Sequence, residues 1–568
     1  MAGSGRRERW FVAGWAALAV AALLWLPYHV AVVPTYSESY LFGFSNRAGL
    51  GIFVLFGLGI AIFAPAFSVS GDGDVARRPL RRSTLYWAMA STFAVSITLY
   101  LATRNLGGID ESVYLIDRVK LVLDGRVPYR DFEWPYGVLF LYGPTWLARG
   151  LHLPASDAYG VFWILLSLTG VWLLYRTLRW VEVPGLPARE TFLVLVGVGL
   201  VALLGSGVNY SLLRFVLPCF LGVWIYRIIH RQKVTGVLCI APAYALLLAI
   251  SPEFALSFLV GMGLYLAWFV GLRSRIDWLV AVALAGIVTG TTWAAAELGV
   301  FKMMKEFSSG GFNFPIVPAP HILLFLLAIA ICAAYAGKSA RTRESSGLLV
   351  LILVSGVAIA GALGRCDPGH VFLDPMGITI VALLLGGTAP GWGRAYFFTV
   401  VCLFVAIPLV LSSAKLLSER QYAAEWGVTA ETADVDGMFG SAPGTVFAAP
   451  MGFGLSHFGT WHSAAVDEGY FMGFQDVLTP PGVNAKIAEL AGHPERPLLL
   501  PEHWDGSCQT NLEVRRRLIS TLFLYPYRAA ARHPESINTP FCEYVKEHYQ
   551  LEIAGSPEHQ GYEVWARR

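Results

Sequence analysis

Long runs of apolar residues dominate the chain, and short polar or basic stretches separate them. A helix that crosses a bilayer needs about 20 predominantly apolar residues. On this criterion the pattern predicts about thirteen spanning helices, at roughly 10–33, 47–68, 85–103, 157–179, 190–206, 212–229, 237–250, 254–271, 278–298, 321–337, 347–364, 371–388 and 395–412. The apolar run 136–150 contains Gly137, Gly143 and Pro144, so we interpret it as a re-entrant or surface helix.

Composition agrees with this pattern. The 568 residues are 55% hydrophobic and only 14% charged, whereas an average soluble domain is nearer one quarter charged. We therefore expect an all-α polytopic membrane protein whose principal surroundings are the lipid bilayer. A net charge of +3 gives no reason to expect a nucleic-acid partner. The first apolar run, Phe11 to Val33, is long for a signal peptide and lacks a clear cleavage site, which favours a retained anchor helix.

Basic residues in alternate short loops predict the orientation of the chain. Lysine and arginine concentrate on the cytoplasmic side of membrane proteins. Alternate loops carry Arg6, Arg7 and Arg9; Arg77, Arg78, Arg81 and Arg82; Arg176 and Arg179; Arg227, Arg231 and Lys233; Arg273 and Arg275; and Lys338, Arg341 and Arg343. This assignment is consistent at every crossing. It predicts a multi-pass protein of the cell inner or plasma membrane, with a cytoplasmic N-terminus and with the other polar loops outside.

The pattern changes after Leu411, where the sequence becomes mixed, polar and rich in Pro and Gly. We divide the chain into two N-terminal helices with a basic loop (1–84), a membrane core (85–412) and an extracytoplasmic soluble domain (413–568). The last segment is long enough for a small α/β or α+β domain. Its Cys508 and Cys542 are candidates for a disulfide bridge, because an outer compartment is oxidising.

An acidic stretch, residues 104–135, lies between two apolar segments. Gly107 and Gly108 precede Asp110 and Glu111, which suit the first turn of a helix because carboxylates complement its positive end. Apolar residues then recur at helical spacing, and Gly125 offers a C-terminal cap. This amphipathic helix would lie at the membrane surface. The remaining polar candidates near it are Tyr114, on the same helical face as Asp110, and Asp131 and Glu133 in the following loop.

Two readings of the acidic pair stay open. A carboxylate at this place can act as a general base or hold a divalent cation. It can also be a helix cap exposed to solvent.

Further candidates lie at other predicted outer helix ends. Arg365 and His370, in the segment Gly364–His370, suit a lipid phosphate because guanidinium groups bind phosphate oxygens in pairs; the alternative is a local ion pair with Asp367. Glu253 is a functional candidate as an ionisable residue near hydrocarbon, or a structural partner for Arg214 or Arg365. Asn209 and Arg214 suit sugar hydroxyls or phosphate. Phosphate-loop, H-E-x-x-H, paired C-x-x-C and nucleophile-elbow motifs are absent from the sequence.

These residues resemble the GT-C superfamily of polytopic glycosyltransferases, which use polyprenyl-phosphate-linked sugars. The resemblance covers roughly 85–412 and is carried by the sequence Gly108-Ile109-Asp110-Glu111-Ser112-Val113-Tyr114, by Gly125 to Phe132 with Tyr136-Gly137 and Tyr142-Gly143-Pro144, and by Arg365-x-Asp367-x-x-His370. The tail resembles the periplasmic C-terminal domains of some members.

The resemblance implies an inverting transfer of a sugar to an envelope glycan, lipid or protein acceptor. Asp110 would be the base, and Glu111 would orient it or hold a divalent cation such as Mg or Mn. Arg365, His370 and Arg214 would bind the donor phosphate, and Tyr114, Asp131, Glu133, Glu253 and Asn209 would contact substrate. The later loops carry no clear second acidic motif, so the use of a metal stays open. A transporter or flippase for a lipid-linked glycan, and a non-catalytic membrane scaffold, are the alternative functions.

Overall fold

The computed structural model describes residues 4–35, 37–63, 80–104, 111–132, 134–181, 187–203, 207–271, 274–302, 304–305, 313–387, 406, 409–410, 413–414, 417, 447–448, 479–501, 508, 512–523, 531–535, 537, 539–553 and 562–568. Within this set, only the backbone is described at 4–9, 111–114, 117, 447–448, 499–501, 514, 518, 522 and 562.

Helices make up most of the described chain. In order they are Ser4–His29 (α1), Glu38–Leu41 (α2), Asn46–Phe63 (α3), Arg82–Thr103 (α4), Glu111–Leu123 (α5), Leu139–Leu151 (α6), Ala155–Trp180 (α7), Ala188–Leu203 (α8), Leu212–Ile229 (α9), Lys233–Leu238 (α10), Ile240–Leu248 (α11), Pro252–Tyr265 (α12), Arg275–Glu297 (α13), Pro320–Thr342 (α14), Gly347–Gly356 (α15), Ala358–Arg365 (α16), Pro368–Leu373 (α17), Met376–Gly386 (α18), Pro480–Gly492 (α19), Leu512–Phe523 (α20) and Thr539–His548 (α21). A 3₁₀ turn, Val208–Tyr210, precedes α9, and a π-helical turn, Leu266–Val270, follows α12.

The helices confirm a multi-pass membrane protein. Within the described residues, eight helices are long and apolar enough to cross a membrane, or nine if α15 and α16 form one bent span. They are Trp10–His29, Asn46–Phe63, Arg82–Thr103, Ala155–Trp180, Leu212–Ile229, Pro252–Val270, Arg275–Glu297 and Pro320–Thr342. The sequence pattern predicted about thirteen. Most of the last predicted span, 395–412, lies outside the described residues.

Several predicted spans are broken or short. The segment 237–250 is divided between α10 and α11, and 371–388 between α17 and α18. The second break falls at Pro375, whose ψ of 51° is not helical. Proline lacks the N–H that would continue the ladder of helical hydrogen bonds, whereas Asp374 before it keeps helical backbone angles. The helix α8 has only 16 residues, and α6 has 13, which is too short to cross, in agreement with its interpretation as a surface or re-entrant helix.

The bend of 52° between α15 and α16 has a local cause. The hydroxyl of Ser257, from α12, donates to the carbonyl of Val354 at 2.8 Å and accepts from the N–H of Ala358 at 3.1 Å. A side chain that inserts into the ladder of helical hydrogen bonds in this way kinks the helix.

Contacts between loops define two ends of the bundle. At one end, which we name the basic end, Tyr226 donates to the carbonyl of Ser345 and Lys233 pairs with Asp277 at 2.8 Å. The basic loops of the sequence meet here: Arg176, Arg179, Arg227, Arg231, Arg275, Lys338, Arg341 and Arg343.

At the other end, which we name the polar end, hydrogen bonds join the loops 35–46, 126–138, 207–211, 249–252, 313–319 and 364–370. The two sets of loops lie at opposite ends of the same helices. The candidate residues Asn209, Arg214, Glu253, Arg365 and His370 therefore all lie at the polar end.

The described part of the C-terminal segment contains a four-stranded sheet with helices. The strands are Phe447–Ala448 (β1), Leu498–Pro501 (β2), Tyr549–Ile553 (β3) and Tyr562–Arg567 (β4), in the order β1-β2-β4-β3. The β1–β2 pair is parallel and the other two pairs are antiparallel. Helix α19 packs against α21. Cys508 and Cys542 form a disulfide with Cα atoms 5.5 Å apart, which confirms the pairing predicted from the sequence.

Candidate functional site

Close backbone contacts hold the loops of the polar end together. The N–H of Gly137 donates to the carbonyl of Ile250 at 3.1 Å, and that of Leu139 to the carbonyl of Ala249 at 2.7 Å. A Cβ atom on Gly137 would collide with the carbonyl of Ala249. Only glycine permits this approach, which fixes the loop after α5 against the loop between α11 and α12.

A buried arginine braces the polar end. Arg214, in the first turn of α9, donates through Nε to Ser251 Oγ at 2.9 Å and through Nη1 to the carbonyl of Asn209 at 2.8 Å. Its Nη2 pairs with Glu253 at the start of α12. The guanidinium of Arg214 therefore has protein partners on all three nitrogens, and the residue is only 7% exposed. Glu253 is the structural partner of Arg214, one of the alternatives left by the sequence.

Asn209 and Tyr136 extend this network. The amide Nδ2 of the buried Asn209 donates to the hydroxyl of Tyr136 at 2.7 Å. The ring of Tyr136 also lies 5.0 Å from the Arg214 guanidinium, a cation–π contact. Asn209 and Arg214, chosen together from the sequence, thus form one hydrogen-bonded unit with the separately chosen Glu253.

Arg365, Asp367 and His370 form a second unit, which we name the Arg–Asp–His triad. Asp367 Oδ2 lies 2.7 Å from His370 Nδ1 and 3.3 Å from Arg365 Nε. The same carboxylate caps α17, since its Oδ1 accepts from the backbone N–H of His370 at 3.1 Å. The local ion pair expected as the alternative for Arg365 is therefore present. The triad joins two basic side chains to one carboxylate, and its side chains keep some exposure, with Arg365 35% exposed.

Charge coupling within the triad raises the pKa of His370. Burial by itself would lower the pKa of His370, but the Asp367 and Asp374 carboxylates outweigh burial and raise it above the ordinary value of 6.5. Burial would likewise raise the pKa of Asp367, yet the His370 and Arg365 charges hold it well below its usual range. The other ring nitrogen of His370, Nε2, faces the hydroxyl of Tyr210 at 3.5 Å.

Asp374 is the acidic residue that the sequence interpretation missed. It lies in the break between α17 and α18, outside the candidate spans, and its Oδ1 is buried with no hydrogen-bond partner among the described residues. Burial raises the pKa of Asp374 to about 6, although the charges of His370 and Arg214 oppose this rise. Two Asp-Pro pairs in one stretch, Asp367-Pro368 and Asp374-Pro375, are the signal in the sequence that would have pointed to it.

The acidic pair that anchors the resemblance is only partly visible. Asp110 and Glu133 lie outside the described residues, and for Glu111 and Tyr114 only the helical backbone is described. The predicted helix itself is confirmed as α5. Its Ile116 and Val119 are buried, and it ends at Leu123, two residues before Gly125, which has a φ of 89°.

Helix α5 packs close to the Asn209 loop. A Cβ atom on Gly207 would collide with the side chain of Leu115, in the second turn of α5, and would lie 2.8 Å from Asn209 Oδ1. The N-terminal half of α5 therefore adjoins the loop that positions Asn209 and Arg214. Before the acidic segment, Arg104 at the end of α4 pairs with Asp157 of α7 at 2.8 Å.

Asp131 is held within its own loop. Its carboxylate accepts from Arg130 at 2.7 and 2.9 Å and from the backbone N–H of Val127 at 2.7 Å. The hydrogen bond from Arg130 is the main cause that lowers the pKa of Asp131 to about 2. This residue shapes the exposed turn after α5, and its contact with a substrate stays a prediction.

The described residues offer no group of three His, Cys, Asp or Glu side chains that suits a metal ion. What the polar end provides is a cationic triad, hydroxyl and amide groups that bind hydrogen-bonding ligands, and a buried carboxylate beside them. No family model matches the chain, and neither a curated protein nor a solved structure matches it.

Proposed function

We propose that the protein is an integral membrane glycosyltransferase that moves a sugar from a polyprenyl-phosphate donor to an envelope glycan, lipid or protein acceptor. The observation that carries the proposal is the Arg–Asp–His triad at the polar end of an apolar bundle. The triad offers cationic groups to a phosphate at the level where a lipid headgroup lies, while the prenyl chain remains in the bilayer. Tyr136, Tyr210, Asn209 and Asp374 surround it with groups that suit sugar hydroxyls.

The chemistry is an inverting displacement. The acceptor oxygen forms a bond to the anomeric carbon as the bond from that carbon to the phosphate oxygen breaks. The acceptor proton goes to Asp110, and the electron pair of the broken bond stays on the departing prenyl phosphate. Arg365 and protonated His370 stabilise the charge that grows there, since fixed cations act most strongly on charge that develops in the transition state.

The roles of the other residues follow from their contacts. Arg214 has all three nitrogens engaged by protein groups, so we assign it, with Glu253, the role of a brace that positions Asn209 and Tyr136 for the substrate. Glu111, Tyr114, Asp131 and Glu133 keep the substrate-side roles implied by the resemblance. A divalent cation would fall to Asp110 and Glu111, and no step of this mechanism passes through it.

The orientation belongs to the same proposal. Basic loops favour the cytoplasm, and they meet at the basic end. The disulfide in the tail favours an oxidising compartment, and the tail contacts the polar end through Arg515 and Glu38. The site and the C-terminal domain are therefore assigned to the extracytoplasmic side of the cell inner or plasma membrane, with the N-terminus in the cytoplasm.

The proposal is tested by comparing two variants with the wild-type protein. Mass spectrometry of membrane lipids and envelope glycans identifies the sugar, and the purified enzyme is then assayed with that donor. Asp110→Asn should bind the donor normally, and its turnover should fall by roughly 100-fold or more, the scale of a lost general base. Arg365→Ala should weaken donor binding by about 10- to 100-fold, as expected when a charge-assisted hydrogen bond is truncated.

Arg343→Ala, at the exposed basic end, is the matched control and should behave as the wild type. Near-normal turnover of Asp110→Asn would remove the catalytic assignment and leave its helix-cap role. A transporter or a scaffold would give the same lipids and glycans in both variants as in the wild type.

A further inference from the structure

The C-terminal helix α20 docks on the loop between α1 and α3. Arg515 Nη1 pairs with Glu38 Oε1 at 2.7 Å, and Glu38 is only 8% exposed. An apolar cluster forms beside this pair from Leu41, Phe42, Phe44, Val317, Ala319, Ile519 and Phe523. The backbone N–H groups of Arg532 and His533 both donate to the carbonyl of Leu41, at 2.9 and 3.1 Å. The tail is thus held at the polar end by a charge pair, an apolar core and main-chain bonds.

A short extended segment, residues 313–319, lies between the docked helix and the triad; we name it the strap. On one side, the ring of Phe523 lies 5.6 Å from Phe314 and 4.6 Å from His321, which begins the helix after the strap. On the other side, the N–H of Phe314 donates to the carbonyl of Arg365 at 3.1 Å. His321 Nε2 faces the carbonyl of Cys366 at 3.1 Å.

The loop between α1 and α3, with Asn46 at the start of α3, also contacts the strap and the segment before the triad. Asn46 Nδ2 donates to the carbonyl of Phe314 at 2.9 Å and to those of Leu363 and Gly364 at 3.3 and 3.2 Å. The N–H of Ser39 donates to the carbonyl of Asn313 at 3.0 Å. Helix α20, the strap and the triad therefore form three consecutive layers, each bonded to the next.

The middle residue of the triad turn needs this support. Cys366 lies between Arg365 and Asp367 and holds the left-handed conformation, with φ of 63°. A side chain in that region costs about 1 kcal/mol or more, and persists where the surroundings hold it in place. Cys366 is fully buried, its Sγ lies 3.8 Å from the carbonyl of Pro315, and its own carbonyl meets His321. The strap supplies the first of these contacts, and the first turn of α14 supplies the second.

From these layers we infer that the tail is a positioning element for the triad. The Arg515–Glu38 pair and Phe523 hold the strap in contact with Cys366. The strap in turn sets the orientation of the Arg365 and His370 side chains. The inference rests on the proposed function only for the choice of a prenyl phosphate as ligand. Arg515, Glu38 and Phe523 are positioning residues, since none belongs to the triad itself.

A charge exchange in the full-length protein tests this inference. Glu38→Arg and Arg515→Glu are made singly and together, and the dissociation constant for farnesyl phosphate is measured in lipid nanodiscs. Each single variant should bind about 3- to 10-fold more weakly, the usual coupling range for residues in direct contact. The double exchange restores the opposite charges and should return the constant to near the wild-type value. Arg517→Glu changes an exposed charge of the same helix, which pairs with Glu513 of α20 in the described part of the chain, and should leave the constant unchanged.

A second measurement does not depend on the ligand. Cys366 is buried in the wild type, so a maleimide should not label it in intact protein, as read peptide by peptide in mass spectrometry. Both single variants should expose it to labelling, and the double exchange should protect it again. Phe523→Leu, which keeps apolar volume but loses the ring contacts, should also expose Cys366.

The outcomes separate the two proposals. Absence of farnesyl phosphate binding to the wild-type protein, with Cys366 labelled in the single variants and protected in the double exchange, supports the positioning role and counts against the proposed function. Unchanged binding and continued protection of Cys366 in both single variants would overturn the positioning role. Failure of the double exchange to restore protection would overturn it as well.

Discussion

At the scale of single residues, the least expected feature is a buried carboxylate oxygen, Asp374 Oδ1, with no hydrogen-bond partner among the described residues. Asp374 keeps a raised pKa of about 6 even though cationic His370 and Arg214 act on it. A folded-state pKa above the ordinary 3.8 means that the folded protein binds the proton more tightly than the unfolded chain. The stability of the protein therefore falls as pH rises from about 4 to about 6, and the cost persists above that range.

This sign gives a prediction for Asp374→Asn. The variant removes the charge. At pH 8 its free energy of unfolding should therefore be higher than that of the wild type by about 2 kcal/mol, and its apparent melting temperature higher by a few degrees. The difference should disappear near pH 4, where Asp374 is protonated. Thermal unfolding followed by tryptophan fluorescence at both pH values measures it. Asp131→Asn is the control, because the pKa of that carboxyl is lowered to about 2, and its replacement should give no gain at pH 8. Equal melting temperatures for Asp374→Asn and the wild type at pH 8 would contradict the assignment.

The triad gives a second prediction at this scale. Asp367→Asn keeps an oxygen that can cap α17 but removes the negative charge beside His370. The pKa of His370 should then fall, by about one unit or more as for other lost charge partners. As pH rises, His370 of the variant should lose its proton at a lower pH than in the wild type. The affinity for farnesyl phosphate should therefore begin to fall at a lower pH. Calorimetric titrations between pH 5 and 8 measure the shift, and His370→Gln should abolish this part of the pH dependence. A profile for Asp367→Asn that coincides with the wild type would contradict the charge coupling.

At the scale of elements, one glycine sets the distance between two loops. Gly137→Ala places a methyl group against the carbonyl of Ala249, so the loop after α5 must move away from the loop before α12. We expect a loss of several degrees in melting temperature, because the collision is with backbone that cannot rotate away. Gly150→Ala is the matched control. Nothing lies within 4 Å of a Cβ at that helical position, and alanine there should leave stability unchanged or raise it by about 0.5–1 kcal/mol. Similar melting temperatures for the two variants would contradict the close approach.

The helix breaks have a related consequence for the site. The triad and Asp374 both lie where a helix is interrupted, on either side of the short α17. Interrupted helices free backbone and side chains for ligands within an otherwise apolar bundle. The break at Asp374-Pro375 therefore places the Asp374 carboxylate beside the triad.

At the scale of the whole molecule, the two ends of the bundle predict a topology. An alkaline phosphatase reporter fused after Arg568 should be active, because that enzyme requires an oxidising compartment. The same reporter inserted after Arg343, at the basic end, should be inactive, and a fluorescent protein inserted there should be bright. The wild-type tail should also migrate differently on gels with and without reductant, because of the Cys508–Cys542 bridge. Phosphatase activity at Arg343 would reverse the proposed orientation of the site and of the tail.

The sequence by itself determined the class of the protein and much of its layout. Long apolar runs predict helices that cross a bilayer, because a helix forms hydrogen bonds between its own backbone N–H and C=O groups and needs no water to do so. For this reason the spans around Ala155–Trp180, Leu212–Ile229 and Pro320–Thr342 were predictable. The amphipathic α5 and the glycine at its C-terminal end followed from local spacing, whereas the sequence made Cys508 and Cys542 only candidates for a bridge, and the fold decided that they meet. The spans and α5 depend on neighbours along the chain or on the solvent.

Only the tertiary structure decided which charges meet. Packing between elements that are distant in sequence joins Arg214 to Glu253 and Arg515 to Glu38. Asp374 was missed because its raised pKa arises from burial by the surrounding elements, to which the Glu253 and Asp367 carboxylates add, and the spacing of apolar residues does not report this burial. The kink beside Ser257 and the docking of the tail over the strap also could not be predicted from the sequence. In both, a side chain of one element forms a hydrogen bond or an ion pair with a distant element.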